Sequence, residues 1–203
     1  MNNKYVKEYN DKYGDIPNEF MDRFIYLINL LKIKMSDVDK IKKLIQKNLK
    51  IKYNEVSFVF YFTPQATPRP RYSKFTKSFY VKNKMNYNEV FGRYVKSINT
   101  GQFPIKTPCE FYCKAYLPIP SSMNRFEIIL AELGLIHHMS KPDFDNLAKT
   151  YSDMIQKHLI QDDAIIYKGV IEKHYSIKPR IEISIRYMEE FDSKFNKRKM
   201  KNK

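Results

Sequence analysis

The chain is short of acidic residues, of cysteine and of long apolar runs. No stretch approaches the ~18 consecutive apolar residues that a membrane-spanning helix needs. The opening residues, Met1 to Glu8, hold no apolar core of the kind a secretory leader carries. Only two cysteines occur, Cys109 and Cys113, and no second pair exists to complete a zinc site. A reduced cytoplasmic protein is the expectation. Among 203 residues, 22 Asp and Glu face 37 Lys and Arg, which leaves a net charge of +15. A field of that sign fits a polyanionic partner better than small acids or sugars. Hydrophobic residues make up 43%, with 16 Tyr and 14 Phe, so the chain collapses rather than behaving as a disordered basic tail.

Aspartate is absent between Asp39 and Asp143; then five arrive within 21 residues: Asp143, Asp145, Asp153, Asp162 and Asp163. Residues 141–190 are the one segment whose net charge is negative, at −1, while residues 51–140 carry +7 and residues 191–203 carry +5. A basic protein that gathers its aspartates in one place needs something to neutralise them.

Periodicity divides the chain into an N-terminal helical extension (residues 1–50), a core (residues 51–190) and a basic tail (residues 191–203). After Pro17, the spacing of Phe20, Phe24, Leu27, Ile28 and Leu31 predicts one helix. Ser36 as N-cap, with Asp39 three later, opens a second helix striped by Val38, Ile41, Leu44, Ile45 and Leu49. From Glu55 the period becomes two, and Val56, Phe58, Phe60 and Phe62 mark a strand ended by Pro64. Residues 63–78 read as a proline-rich loop, followed by a helix bearing Val90, Phe91, Tyr94, Val95 and Ile98. Cys109, Phe111, Cys113, Ala115 and Leu117 alternate with polar residues in a second strand, which makes the cysteines small inward-facing residues. A short helix from Arg125 to Leu133 stops at Gly134. A longer one begins near Asp143, with Phe144, Leu147, Tyr151, Met154 and Ile155 as its apolar stripe. Two strands, from about Ala164 to Tyr175 and from Arg180 to Met188, read as an antiparallel hairpin. The fold class is α+β: a small mixed sheet packed on helices, preceded by a helical hairpin.

The chemistry concentrates in Lys141-Pro142-Asp143-Phe144-Asp145-Asn146-Leu147-Ala148-Lys149. Pro142 favours a helix start, so Asp143 and Asp145 lie in or before the first turn, where the helix dipole and free backbone N–H groups stabilise carboxylates. Lys149 lies one turn after Asp145 on the same face. Asp162 and Asp163 follow, just before the next strand. Two carboxylates about 4 Å apart repel by roughly 4 kcal/mol at an effective dielectric near 20. Converging aspartates therefore call for a cation, and oxygen-only donors point to Mg2+ or Mn2+. The bland alternatives are an N-cap at Asp143, a surface pair of Asp145 with Lys149, and a solvated turn at Asp162 and Asp163. His137 and His138 are weaker ligand candidates, since tandem imidazoles point different ways.

Between Arg69 and Lys96 there are eight basic residues against one acid, Glu89, with seven aromatics interleaved. Arg69, Arg71, Lys74, Lys77, Lys82 and Lys84 suit phosphates, while Tyr72, Phe75, Phe79 and Tyr80 suit stacking on distorted or unpaired bases. Nothing there encodes base readout, so shape and backbone recognition are expected.

The nine-residue block, the later Asp-Asp-x-x-Ile, Lys173 ahead of the terminal strand, and Pro68-Arg69-Pro70-Arg71 after the first strand occur in order. Together they resemble the RusA family of Holliday junction resolvases of bacteria and their phages, from about Val56 to Met188. The resemblance implies that Asp143, Asp145 and Asp163 are the metal-binding catalytic carboxylates, with Asp162 an adjacent participant. It implies that Lys149 assists at the scissile phosphate and that Lys173 joins the DNA-contacting cations. It further implies a homodimer that cuts symmetric strands of a four-way DNA junction with Mg2+. The helical extension and the basic tail lie outside the family core. The alternatives are a nuclease acting on flaps or duplex DNA, and a branched-DNA-binding protein that does not cut.

Overall fold

The computed structural model of the chain describes residues 16–66, 71–73, 75, 77–80, 92–94, 103–156 and 158–190. Contacts divide the chain into two units, Met1–Lys52 and Tyr53–Lys203.

In the first unit, α1 (Asn18–Leu30) follows Pro17, and α2 (Met35–Leu49) follows Lys34. The helix begins one residue before Ser36, with Lys34 as a cap that makes no side-chain bond, so the expected capping box does not form. Met21, Phe24 and Val38 are buried with Ile16, and Ile28, Ile41 and Ile45 pack half-buried against them. The predicted stripes are thus only partly consumed. Phe20, Leu27, Leu44 and Leu49 remain exposed along an apolar groove between the two helices.

The second unit is built on a four-stranded sheet of β1 (Tyr53–Phe60), β4 (Cys109–Pro118), β5 (Ile166–Ser176) and β6 (Arg180–Met188). Its order is β1-β6-β4-β5, with β1 and β4 antiparallel to β6 and β5 parallel to β4. The expected hairpin between the last two strands is therefore wrong, because β4 lies between them. The link Ile177–Pro179 crosses the end of β4. Two inter-strand spacings are about 10 Å, within the reach of three extended residues.

The longer helices among the described residues of this unit are α3 (Arg125–Glu132) and α4 (Phe144–Ile155). Asn124 caps α3 in a reciprocal capping box with Glu127, and Gly134 follows the helix at φ 76°, a left-handed conformation that suits glycine. One face of the sheet presents Phe58, Phe60, Phe111, Cys113, Ile183 and Ile185 to Leu147, Tyr151, Met154 and Ile155 of α4, and all of these are buried. Phe144 departs from its predicted stripe. It stands at the first turn, beyond the edge of the contact, and is 58% exposed.

The opposite face of the sheet is polar and internally paired. Glu110 is buried there. It accepts a hydrogen bond from the Tyr112 hydroxyl and another, of 2.7 Å, from Tyr167, with Arg186 and Lys168 at 3.6 and 3.7 Å. These donors and cations hold its carboxyl below the usual carboxylate range. Cys109 and Cys113 are free and buried, and burial alone pushes their thiols up to about 11 and about 12.

The predicted loop after β1 contains structure of its own. β2 (Arg71–Ser73) and β3 (Ser78–Tyr80) pair antiparallel, Arg71 opposite Tyr80, across a turn where Lys77 adopts φ 48°. Three-residue strands are too short to show a period, which is why the sequence reads as a loop there. Of the helix expected around residues 90–98, Gly92–Tyr94 are helical. Its other positions lie outside the described residues.

Candidate active site

Asp143 is the N-cap residue of α4. Its backbone carbonyl accepts the first helical bond from Leu147 N–H at 3.0 Å, but its side chain makes no cap bond. The carboxylate is exposed, at the positive end of the helix. Asp145 follows in the first turn and Lys149 one turn further, both exposed. Two carboxylates and an ammonium therefore cluster about one helix entrance.

That entrance is approached by a loop anchored to β5. Lys173 Nζ donates to the Ser140 carbonyl at 3.1 Å and to the Pro142 carbonyl at 3.2 Å. His138 is buried beneath the loop. Its ring lies 4.6 Å from that of Tyr175, and its Nε2 is 3.3 Å from Ser140 Oγ. Burial, and then the Lys173 ammonium, push the imidazole below its ordinary range. His138 Nδ1 is buried without a hydrogen-bond partner.

Asp162 and Asp163 are exposed and occupy the start of a 3-10 turn, Asp163–Ile165, ahead of β5. Asp162 Oδ1 accepts from Ala164 N–H at 2.9 Å, so this residue is the turn's cap. The two acidic sites lie toward opposite ends of β5. Lys173, which touches the α4 entrance, is seven residues beyond Ile166, about 23 Å of extended strand. The other end of α4 leads back to the strand starts. Leu159 N–H bonds to the Ile155 carbonyl at 2.8 Å, and Ile105, four residues before Cys109, exchanges bonds with Leu159 and Gln161. Helix α4 thus runs antiparallel to β5 and separates Asp143 and Asp145 from Asp163 within one chain. Among the described residues, no group of three or more His, Cys, Asp or Glu is placed to hold a metal ion.

Mg2+ makes a smaller demand. It keeps several waters and is commonly held by one or two carboxylates together with substrate phosphates. Asp143 and Asp145 fit that donor set as oxygen ligands on one helix turn, with the Asp143 carboxylate unspent on capping.

Of the basic residues singled out between the first strand and the next helix, Arg69, Lys74, Lys82 and Lys84 lie outside the described residues. Arg71 falls in β2. Lys77 is exposed in the β2–β3 turn beside Phe75, which is 99% exposed. Sequence reasoning missed the anchoring of the loop by Lys173 and Tyr175. Their i, i+2 spacing on a strand puts both on one face, but nothing local tells what that face meets. It also missed exposed apolar side chains on α3 and on the segment that leads from it into α4: Phe126, Ile129, Leu133, Leu135, Met139 and Phe144, each more than half exposed.

No helix among the described residues is long and apolar enough to cross a membrane. A protein of Bacillus subtilis strain 168, described as the uncharacterized protein YqaN, is 30% identical over 135 residues, spanning 64% of this chain and 95% of the relative. Residues 61–186 match the family described as endodeoxyribonuclease RusA. The matched span begins just after β1 and takes in the α4 entrance with Asp143, Asp145 and Lys149, the Asp162–Asp163 turn and most of β6, and the chain therefore belongs to the RusA family of endodeoxyribonucleases.

Proposed function

We propose that this chain is a Mg2+-dependent, structure-selective endodeoxyribonuclease that resolves four-way DNA junctions as a homodimer. The observation that carries the reading is the pair of exposed carboxylates, Asp143 and Asp145, on the entrance turn of a helix in a family endonuclease of net charge +15. A bound divalent cation there would activate water and neutralise the charge that develops on the phosphate. Asp143 and Asp145 would hold the cation. Lys149 would offset charge on the phosphate or leaving oxygen. Arg69, Arg71, Lys74, Lys77, Lys82 and Lys84 would follow the DNA backbone.

The same geometry supports a composite site. Asp163 lies too far along β5 to join Asp143 within one subunit, so a third carboxylate at the site would come from a second copy. The exposed apolar side chains on α3 and on the segment leading from it to α4 support this reading, since they offer apolar surface that a second copy could cover. A two-fold dimer would form two identical sites, matching the symmetric strands of a junction.

The test uses a labelled synthetic junction with flap and duplex controls. Paired nicks in Mg2+ on the junction above all other substrates, lost in EDTA and in Asp145→Asn, are the expected result. Cleavage that survives Asp145→Asn removes the mechanism. Mixing Asp145→Asn and Asp163→Asn subunits tests the composite site. Heterodimers would regain one intact site and give single nicks, whereas sites complete within one chain would stay silent.

A further inference from the structure

The sequence reading places Lys173 among the DNA-contacting cations, yet its ammonium, on a half-buried side chain, is engaged by the protein's own backbone. Lysine has three donors, and two of them meet the carbonyls of Ser140 and Pro142 at 3.1 and 3.2 Å. Both carbonyls belong to the approach to Asp143. A single cation that bridges carbonyls two residues apart restricts the backbone between them. Tyr175, two residues on along the same face of β5, supports the loop from below through the ring of His138, which is 8% exposed. The strand thus holds the loop at two points.

We infer that Lys173 is a positioning residue, which fixes the loop delivering Asp143 to the α4 entrance, and that it is not a DNA contact. The inference rests on the proposed function only for its consequence in turnover; the anchoring itself is a property of the free protein. Methionine at this position keeps the apolar stem and removes the donors. Arginine keeps the charge, but its planar fork does not reproduce a point donor aimed at two carbonyls.

The experiment takes full-length Lys173→Met and Lys173→Arg through three measurements. These are single-turnover nicking of a four-way junction against Mg2+, metal-free junction binding across a salt series, and hydrogen exchange of residues 138–147. In Lys173→Met the nicking rate is expected to fall about 30- to 100-fold, as a displacement near 1 Å in a catalytic group commonly costs. Junction affinity should stay within about twofold with an unchanged salt slope. Exchange in the loop should rise about 10-fold while β4 and β6 keep their protection. Lys173→Arg should remain slow with binding intact.

A DNA contact would give the opposite: weaker binding, a salt slope reduced by about one, unchanged loop exchange, and full activity in Lys173→Arg. Any of the last three overturns the inference, as does full activity in Lys173→Met. If exchange rises across the whole sheet in Lys173→Met, Lys173→Arg decides. If the wild-type protein cuts no junction, the proposed function fails, and loop exchange still decides: a rise confined to the loop supports the anchor, and none refutes it.

Discussion

Asp143 stands where a helix cap usually spends its oxygen, yet its side chain makes no cap bond. Asparagine is as good a residue at that position, so Asp143→Asn should leave the unfolding free energy within about 0.5 kcal/mol. Junction nicking should nonetheless fall at least ~100-fold, a loss of roughly 3 kcal/mol in transition-state stabilisation. Paired thermal melts and rate measurements on one preparation check this separation. His138 gives a pH signature. Its imidazole is held below its ordinary range when folded, so the unfolded chain binds the proton more readily. Its contribution to stability is full above the unfolded value and is lost as pH falls through that value toward the folded one. The melting temperature should therefore drop between about pH 7 and pH 5.5, and His138→Phe should flatten that drop. Glu110, held low by its tyrosine donors, acts in a separate window: its contribution is present above the ordinary carboxylate value and is lost only in more acidic solution. The cysteines should be inert to thiol reagents until the chain unfolds, as buried thiols shifted up to about 11 and about 12 require.

At the scale of elements, legibility followed the range of the interactions. Leu147, Tyr151, Met154 and Ile155 declared α4 because a helix repeats every 3.6 residues and the stripe is local. The alternation in β4 revealed its inward cysteines for the same reason. Strand order was hidden, because β1 pairs with β6 across more than a hundred residues and no local pattern names a partner. The acidic pair at the α4 entrance was legible from spacing and a preceding proline. Its distance from Asp163 was not, since that depends on which way α4 runs along β5. The β2–β3 ribbon escaped notice through brevity, though its tip now has a use. Phe75 is 99% exposed in the turn and makes a candidate wedge or stacking surface. Phe75→Ala should weaken junction binding by about 1–3 kcal/mol, the usual worth of one base stack, without moving the melting temperature. In the core, Ile183→Ala should cost about 2–5 kcal/mol, because the residue is 1% exposed between neighbouring strands.

At the scale of the whole molecule, the last of the four strands of the main sheet in chain order holds an inner place. Residues Arg180–Met188 supply partners to both Tyr53–Phe60 and Cys109–Pro118. A ribosome working from the N-terminus releases those two partners long before the segment that joins them. The first strand therefore waits without its sheet neighbour until residues Arg180–Met188 have been made. Its exposed backbone and its phenylalanines stay open to wrong partners meanwhile. A chain stopped at residue 179 should emerge as an aggregate rather than as a weakened nuclease, which sedimentation of the truncated product would show.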